Sequence, residues 1–355
     1  MSSALKKYAF INAKLRARMS TLLNDEFFLR SVRAHTTDEL LPYFDDTRYR
    51  FLIDLYRQSA DIGLMELALF EHEALEIQDI QKHLCKTEQI TVDAWGKRYE
   101  LQVFRTVLRL WFDRSIRRRK IDELLPYVCR NTRIHCLPVD KLLASDSNTF
   151  ADAAHSTLYG PVVKEMIHEV QEQKSIFKLE IACDKLYYQS LFKAFDILAP
   201  RDRDIVHSLI GIEVDMENIN RFVRMNQFYK LTSNELIETL IPNGKNISLD
   251  IFHEAAEKKE PTGLGLELFS RTYGKYLILS SGSSGENRQG LSVIEKLFSL
   301  IIEEEVKKVC SGYPFTIGII FAWLIRKHIE VRRIKTLINA VHLKIRTERS
   351  EMHFV

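Results

Sequence analysis

An acid recurs in this chain at a fixed interval. Glu100, Asp215 and Glu330 stand 115 residues apart. The nine-residue windows that they open, ELQVFRTVL, DMENINRFV and EVRRIKTLI, share one pattern. One place on come Leu101, Met216 and Val331; four places on come Phe104, Ile219 and Ile334. Seven and eight places on come Val107-Leu108, Phe222-Val223 and Leu337-Ile338, while places five and six are polar throughout. On a helix these apolar positions and the acid fall within an arc of about 120°. The acid thus lies inside the apolar stripe. A carboxylate there is at least half buried and must be paired or hydrogen-bonded. A fixed ion pair or a cap contact with a neighbouring helix is the expected role. Nothing else of a catalytic site recurs with the three acids, so proton chemistry finds no support.

A second pair keeps the interval: Glu180 and Glu295, each in an apolar helical stretch. A looser echo links DELLPYF at 38–44, DELLPYV at 122–128 and NELIETLIP at 234–242. Three copies of 115 residues cover nearly the whole chain. The expectation is an all-α protein of three similar lobes in a pseudo-three-fold arrangement. Their bounds are 1–130, 131–245 and 246–355, with a mobile loop near 280–290.

The rest of the pattern agrees with helices. Apolar residues at three- and four-residue spacing run through 64–84, 176–198, 205–231 and 291–309. Breaks are expected at Pro42, Pro126, Pro138, Gly160-Pro161, Pro200, Pro242 and Pro261, and in the Gly/Ser-rich 280–290 stretch. Only 13 Gly and 8 Pro in 355 residues are too few for an all-β fold, which needs frequent turns.

The longest uncharged run, 309–325, holds Gly312, Pro314 and Gly318. It is too short for a membrane span and is expected as a buried core helix. The first 14 residues show no apolar signal-peptide region.

Several chemistries lack their residues. Gly-Lys occurs at 96–97, 244–245 and 274–275, never followed by Ser or Thr, so there is no P-loop. Gly263-Leu-Gly265 has Leu268 where a dinucleotide fingerprint needs its third glycine. The five cysteines, Cys85, Cys129, Cys136, Cys183 and Cys310, form no CxxC pair. No catalytic residue, cofactor site or metal site is expected, and the cysteines are expected reduced.

Further elements carry a resemblance. They are Tyr8-Ala-Phe-Ile-Asn-Ala-Lys-Leu-Arg-Ala17 and Thr47-x-Tyr49. With them go Glu180-Ile-Ala-Cys-Asp184-Lys-Leu-Tyr187-Tyr188, Gly211-Ile-Glu-Val-Asp215 with Asn218-Ile219 and Arg224, the 321–338 helix and the 345–355 tail. In this order, over the full length, they resemble the C subunit of the bacterial and archaeal V/A-type rotary ATPases, the counterpart of the eukaryotic V-ATPase d subunit. One departure is that the family's Asn is kept at Asn218 but replaced by Val103 and Arg333 in the other copies.

The resemblance implies a funnel of three all-α lobes without an active site. It implies a peripheral place on the cytoplasmic face of the membrane. There the protein would join the rotor shaft, made of the D and F subunits, to the membrane rotor ring of proteolipids, transmit torque, and touch the membrane only through the ring.

Charge is nearly balanced, 51 Lys and Arg against 48 Asp and Glu. Two clusters stand out. Arg114, Arg117, Arg118, Arg119 and Lys120 form one. The other lies in 326–349 and includes Arg332 and Arg333. Each is either a solvated face with internal ion pairs or a docking surface for an acidic partner. Residues 117–120 are consecutive, so on a helix they would point all around it, which disfavours a nucleic-acid groove reader. No nucleic-acid partner is expected. The competing function is a helical repeat scaffold for protein binding. Solenoid repeats are shorter, about 34–47 residues, and open-ended.

Overall fold

The computed structural model describes residues 3–228, 231–257, 264–280 and 291–344. Among these there is no strand. The 281–290 part of the expected loop, Pro261 and the 345–355 tail lie outside the described residues.

The N-terminal helices are α1 (Ser3–Met19), α2 (Asp25–Ser31) and α3 (Thr37–Leu40). A run of three then lengthens stepwise: α4 (Phe51–Ser59), α5 (Ile62–Gln81) and α6 (Lys86–Ser115), of 9, 20 and 30 residues. Short helices α7 (Val139–Ala144) and α8 (Phe150–Ala154) follow. The second run is α9 (Gly160–Gln173), α10 (Phe177–Phe195) and α11 (Pro200–Phe228), of 14, 19 and 29 residues. Then come α12 (Ser233–Glu238) and α13 (Leu249–Ala256). The third run is α14 (Leu264–Ser280), α15 (Leu291–Ser311) and α16 (Gly318–His342), of 17, 21 and 25 residues. Glu100, Asp215 and Glu330 lie on the third helix of the three runs, α6, α11 and α16.

Local chemistry sets the ends. The Asn24, Thr36 and Asp61 side chains accept from backbone N–H groups of the first turns of α2, α3 and α5. Thr232 and Glu235 form a reciprocal capping box on α12. Two helices stop in the left-handed conformation without glycine, at Ala60 (φ 51°) and Lys174 (φ 50°).

Three sequence expectations change. The 309–325 run is not one buried helix. α15 ends at Ser311 and α16 begins at Gly318, because Gly312 and Pro314 break the ladder. The new start is fixed by Asp202, whose carboxylate accepts from Ile317 N (3.0 Å) and from Tyr8 Oη (2.8 Å). Residues 117–120 are not helical, since α6 ends at Ser115 and Arg118 is left-handed at φ 60°. The DELLPYF and DELLPYV segments occupy different environments. Leu40, Leu41 and Phe44 of the first are buried, whereas Leu124 and Tyr127 of the second are exposed. Both adopt 3-10 turns, at Leu41–Phe44 and Asp122–Tyr127. The likeness is one of turn chemistry around Pro42 and Pro126, not of packing.

The chain divides into two compact units, one of residues 1–8 and 188–322, the other of residues 9–187 and 323–355. The division falls within α1, α10 and α16. In the first unit, Ile219, Phe222 and Val223 of α11 pack with Leu240, Phe252 and Phe298. In the second, Val331, Ile334, Leu337 and Ile338 of α16 pack with a cluster drawn from residues 28–69. These are the apolar places of the sequence register, at one, four, seven and eight residues past the acid.

Candidate functional site: buried acids and a basic loop

The three acids are 5%, 0% and 5% exposed at Glu100, Asp215 and Glu330. Each has a buried tyrosine near it that the register did not reveal. Tyr273 donates to Asp215 Oδ2 at 2.6 Å, and Tyr49 donates to Glu330 Oε2 at 2.5 Å. Burial, helped by the Glu100 charge, raises the phenol of the fully buried Tyr159, but its hydroxyl has no hydrogen-bond partner among the described residues. Glu100 instead accepts from Lys97 Nζ at 2.9 Å.

Tyr49 and Tyr159 are set by the same turn. Thr47 Oγ1 donates to Phe44 O and accepts from Tyr49 N; Thr157 Oγ1 donates to Ala154 O and accepts from Tyr159 N. Each tyrosine stands just before the first helix of a run. Tyr273 sits at a kink inside α14, where its φ and ψ of −119° and 18° interrupt the helix. Thr47-x-Tyr49 and Thr157-x-Tyr159 were the available signal, two short matches 110 residues apart.

The surroundings of the acids differ. Asp215 accepts from Asn246 N (2.9 Å) and Ile247 N (3.3 Å) as well as from Tyr273. Gly244 lies so close that a Cβ there would come within 2.2 Å of Asp215 Oδ1. Burial raises the Asp215 carboxyl to about 6 against the pull of these donors. Nearby Asn218 holds both polar groups of Ile241, donating to its oxygen (2.7 Å) and accepting from its N–H (2.8 Å). At the matching places Val103 is buried and apolar, and Arg333 pairs with Asp25 at 2.8 Å and lies over the Phe28 ring. The contact made by the amide is therefore absent at both.

Glu330 accepts from Leu23 N at 2.7 Å. Beside it Lys327, 1% exposed, donates to Tyr49 Oη (2.8 Å) and pairs with Glu76 (2.6 Å) and Glu330 (3.4 Å). Burial raises the Tyr49 phenol well above its usual value, helped by the Glu330 charge. Burial also works to raise the Glu76 carboxyl, but the charge and hydrogen bond of Lys327, with His72 and Arg48, together hold Glu76 below the usual range. His328 Nδ1 reaches Glu73 at 2.8 Å in the same layer.

The basic residues separate into two kinds. Arg114 is half-buried and donates to Ser145 O at 2.6 Å, fastening the end of α6. Arg117 and Arg119 are exposed and share Asp113, at 3.2 and 3.7 Å. Arg118 and Lys120 are exposed beside them. Residues 117–120 thus form a solvent-facing basic loop with one acid as counter-charge. In the C-terminal cluster Arg332 is exposed, but Lys327 is an interior group and Arg333 a half-buried one. A fully solvated face is therefore not what α16 presents.

Among the described residues no group of side chains has the make-up of a metal site, and no helix is long and apolar enough to cross a membrane. The fold and these residues define a class: an all-helical protein built on repeated three-helix runs whose longest helices carry buried acids. The chain belongs to the ATP synthase (C/AC39) subunit family, whose model matches residues 11–352. It is similar to the A-type ATP synthase C subunit of Methanocaldococcus jannaschii, 21% identical over 94% of this chain and 82% of the relative. It is likewise similar to the C subunits of the A-type ATP synthases of Methanosphaera stadtmanae, 23% identical over 93% and 83%, and Pyrococcus furiosus, 20% identical over 96% and 88%.

Proposed function

We propose that this protein is the non-catalytic central-stalk connector of a V/A-type rotary ATPase or ATP synthase. It joins a shaft of D and F subunits to the membrane rotor ring and transmits torque between them. The observation that carries this reading is the family match over residues 11–352. The chain is organised as three similar lobes, 1–130, 131–245 and 246–355, in which Glu100, Asp215 and Glu330 are equivalent structural acids. Three runs of stepwise longer helices support this organisation. It has no nucleotide site of its own and lies peripherally on the cytoplasmic face of the membrane, touching the bilayer only through the ring.

The basic loop of Arg117, Arg118, Arg119 and Lys120 docks an acidic surface of the shaft or ring, with Arg332 as a further exposed cation. Arg114 and Arg333 hold the surface in place from within. Charge at an exposed rim governs association more than folding.

Affinity purification of the tagged chain from gently solubilised membranes tests the reading. Head, shaft and ring proteins should be recovered together, while the isolated chain shows no ATPase activity. Recovery of soluble proteins alone would favour a helical scaffold, and recovery of nucleic acid would overturn both. Charge reversal at Arg117, Arg118 and Arg119 should weaken assembly with an unchanged melting temperature. Undiminished assembly would remove the loop from the interface.

A further inference from the structure

In the unit of residues 9–187 and 323–355, the C-terminal half of α16 is held by segments from the other end of the chain. Its apolar stripe packs on residues 28–69. Its polar ties run the same way, across 255 to 307 residues of sequence: Glu330 to Leu23 and Tyr49, Lys327 to Tyr49, and His328 to Glu73. The other long helix of this unit meets α16 at Trp95, whose ring stands edge-on to that of His328, but its 105–114 half is tied elsewhere. Arg105 pairs with Asp184, Arg109 with Glu180, and Trp111 and Arg114 donate to the carbonyls of Asp146 and Ser145.

One cation lies at the centre of the first set. The Lys327 ammonium is the shared counter-charge of Glu76 and Glu330 and sits 4.7 Å from the Tyr49 ring centroid. Arg48 also reaches Glu76, but from the partly exposed side, at 3.1 Å. A buried carboxylate such as Glu330 without its cation is strongly unfavourable. Contiguous groups of contacts of this kind open as units.

We propose that Lys327 is the keystone of an electrostatic clasp closing the 23–76 region and α16 on each other. Breaking the clasp lets the C-terminal half of α16 and the 23–59 segment open together while α6 stays folded. The clasp does not depend on the assembly the protein joins.

Native-state hydrogen exchange on the full-length chain tests it. Lys327→Met should lower protection of amides 328–341 and 51–59 by a common factor of about 100 or more, with amides 101–112 changed less than about threefold. Tyr49→Phe removes one hydroxyl, is the milder variant, and carries the test if Lys327→Met does not fold. It should lower the same two stretches by about tenfold. An equal loss along α6, a loss in only one of the two stretches, or no loss in Tyr49→Phe would overturn the clasp.

Discussion

Asp215 and Glu330 stand 115 residues apart on α11 and α16, each inside an apolar stripe and each with a tyrosine hydroxyl on its carboxylate, yet they are neutralised by different means. Asp215 is met by Tyr273 and by backbone N–H groups of the 243–247 segment, all of them neutral donors. Glu330 shares a buried ammonium with Glu76. Neutral donors satisfy the lone pairs of a carboxylate but leave its desolvation cost, so the Asp215 carboxyl is raised to about 6. A buried cation offsets that cost and makes the site depend on the cation.

The largest test of this contrast is Lys327→Met, which leaves the buried Glu330 without its counter-charge and the half-buried Glu76 with Arg48 alone. It should lower the unfolding free energy by about 3–5 kcal/mol in denaturant titration. Adding Glu330→Gln should recover part of that loss. An additive double variant would mean that Lys327 and Glu330 do not interact energetically.

Next comes pH. The Asp215 carboxyl ordinarily titrates at 3.8 and is raised in the fold to about 6. Between those values the folded chain holds a proton that the unfolded chain has lost. Stability attached to this group therefore rises as pH falls from 6 towards 4, by at most about 3 kcal/mol. Glu76 acts oppositely and lower: its contribution is present above its usual 4.5 and is lost as pH falls through its depressed folded value. Melting curves of the wild type and Asp215→Asn at pH 7 and 5 check the sign. The asparagine variant should lose about 1–3 kcal/mol at pH 7, because its amide N–H₂ faces other donors. The gap between the two proteins should change with pH, and a gap independent of pH would reject the raised carboxyl.

Smaller still is a pair of glycine changes. Gly244→Ala places a methyl against Asp215 and the Ile247 carbonyl, and should cost about 1–3 kcal/mol. Gly96→Ala on α6 meets nothing within 4 Å and should stabilise by about 0.5–1 kcal/mol. Equal effects at the two positions would show that the 243–247 segment yields easily and that Asp215 is not tightly enclosed.

Much of the fold is legible in the sequence because helical periodicity is local. The places one, four, seven and eight residues past Asp215 and Glu330 are those that enter the two cores. The burial of the acids follows from the same geometry. The tyrosines are not legible as partners. Tyr49 meets Glu330 across 281 residues, and Tyr273 meets Asp215 across 58. Helical periodicity does not reach over such distances. The basic loop reads as helix because a row of arginines has good helix propensity, whereas the left-handed Arg118 ends the element. Lys327 falls within a run that reads as a solvated basic face for a related reason: charge composition gives the residue type but not the side on which the helix is covered.

The sequence by itself determined that the chain is helical, that its longest helices carry an acid within the apolar stripe, and that phosphate-loop and dinucleotide chemistry lack their residues. Each of these rests on neighbours within about two helical turns, where spacing fixes direction. Only the tertiary structure decided that Asp215 is satisfied by the N–H groups of a folded-back segment, and that the lysine three residues before Glu330 is buried and shared with Glu76 while the one three residues before Glu100 stays half-exposed. Desolvation and Coulomb energies depend on distance in space, and a linear chain does not contain that distance until it has closed on itself.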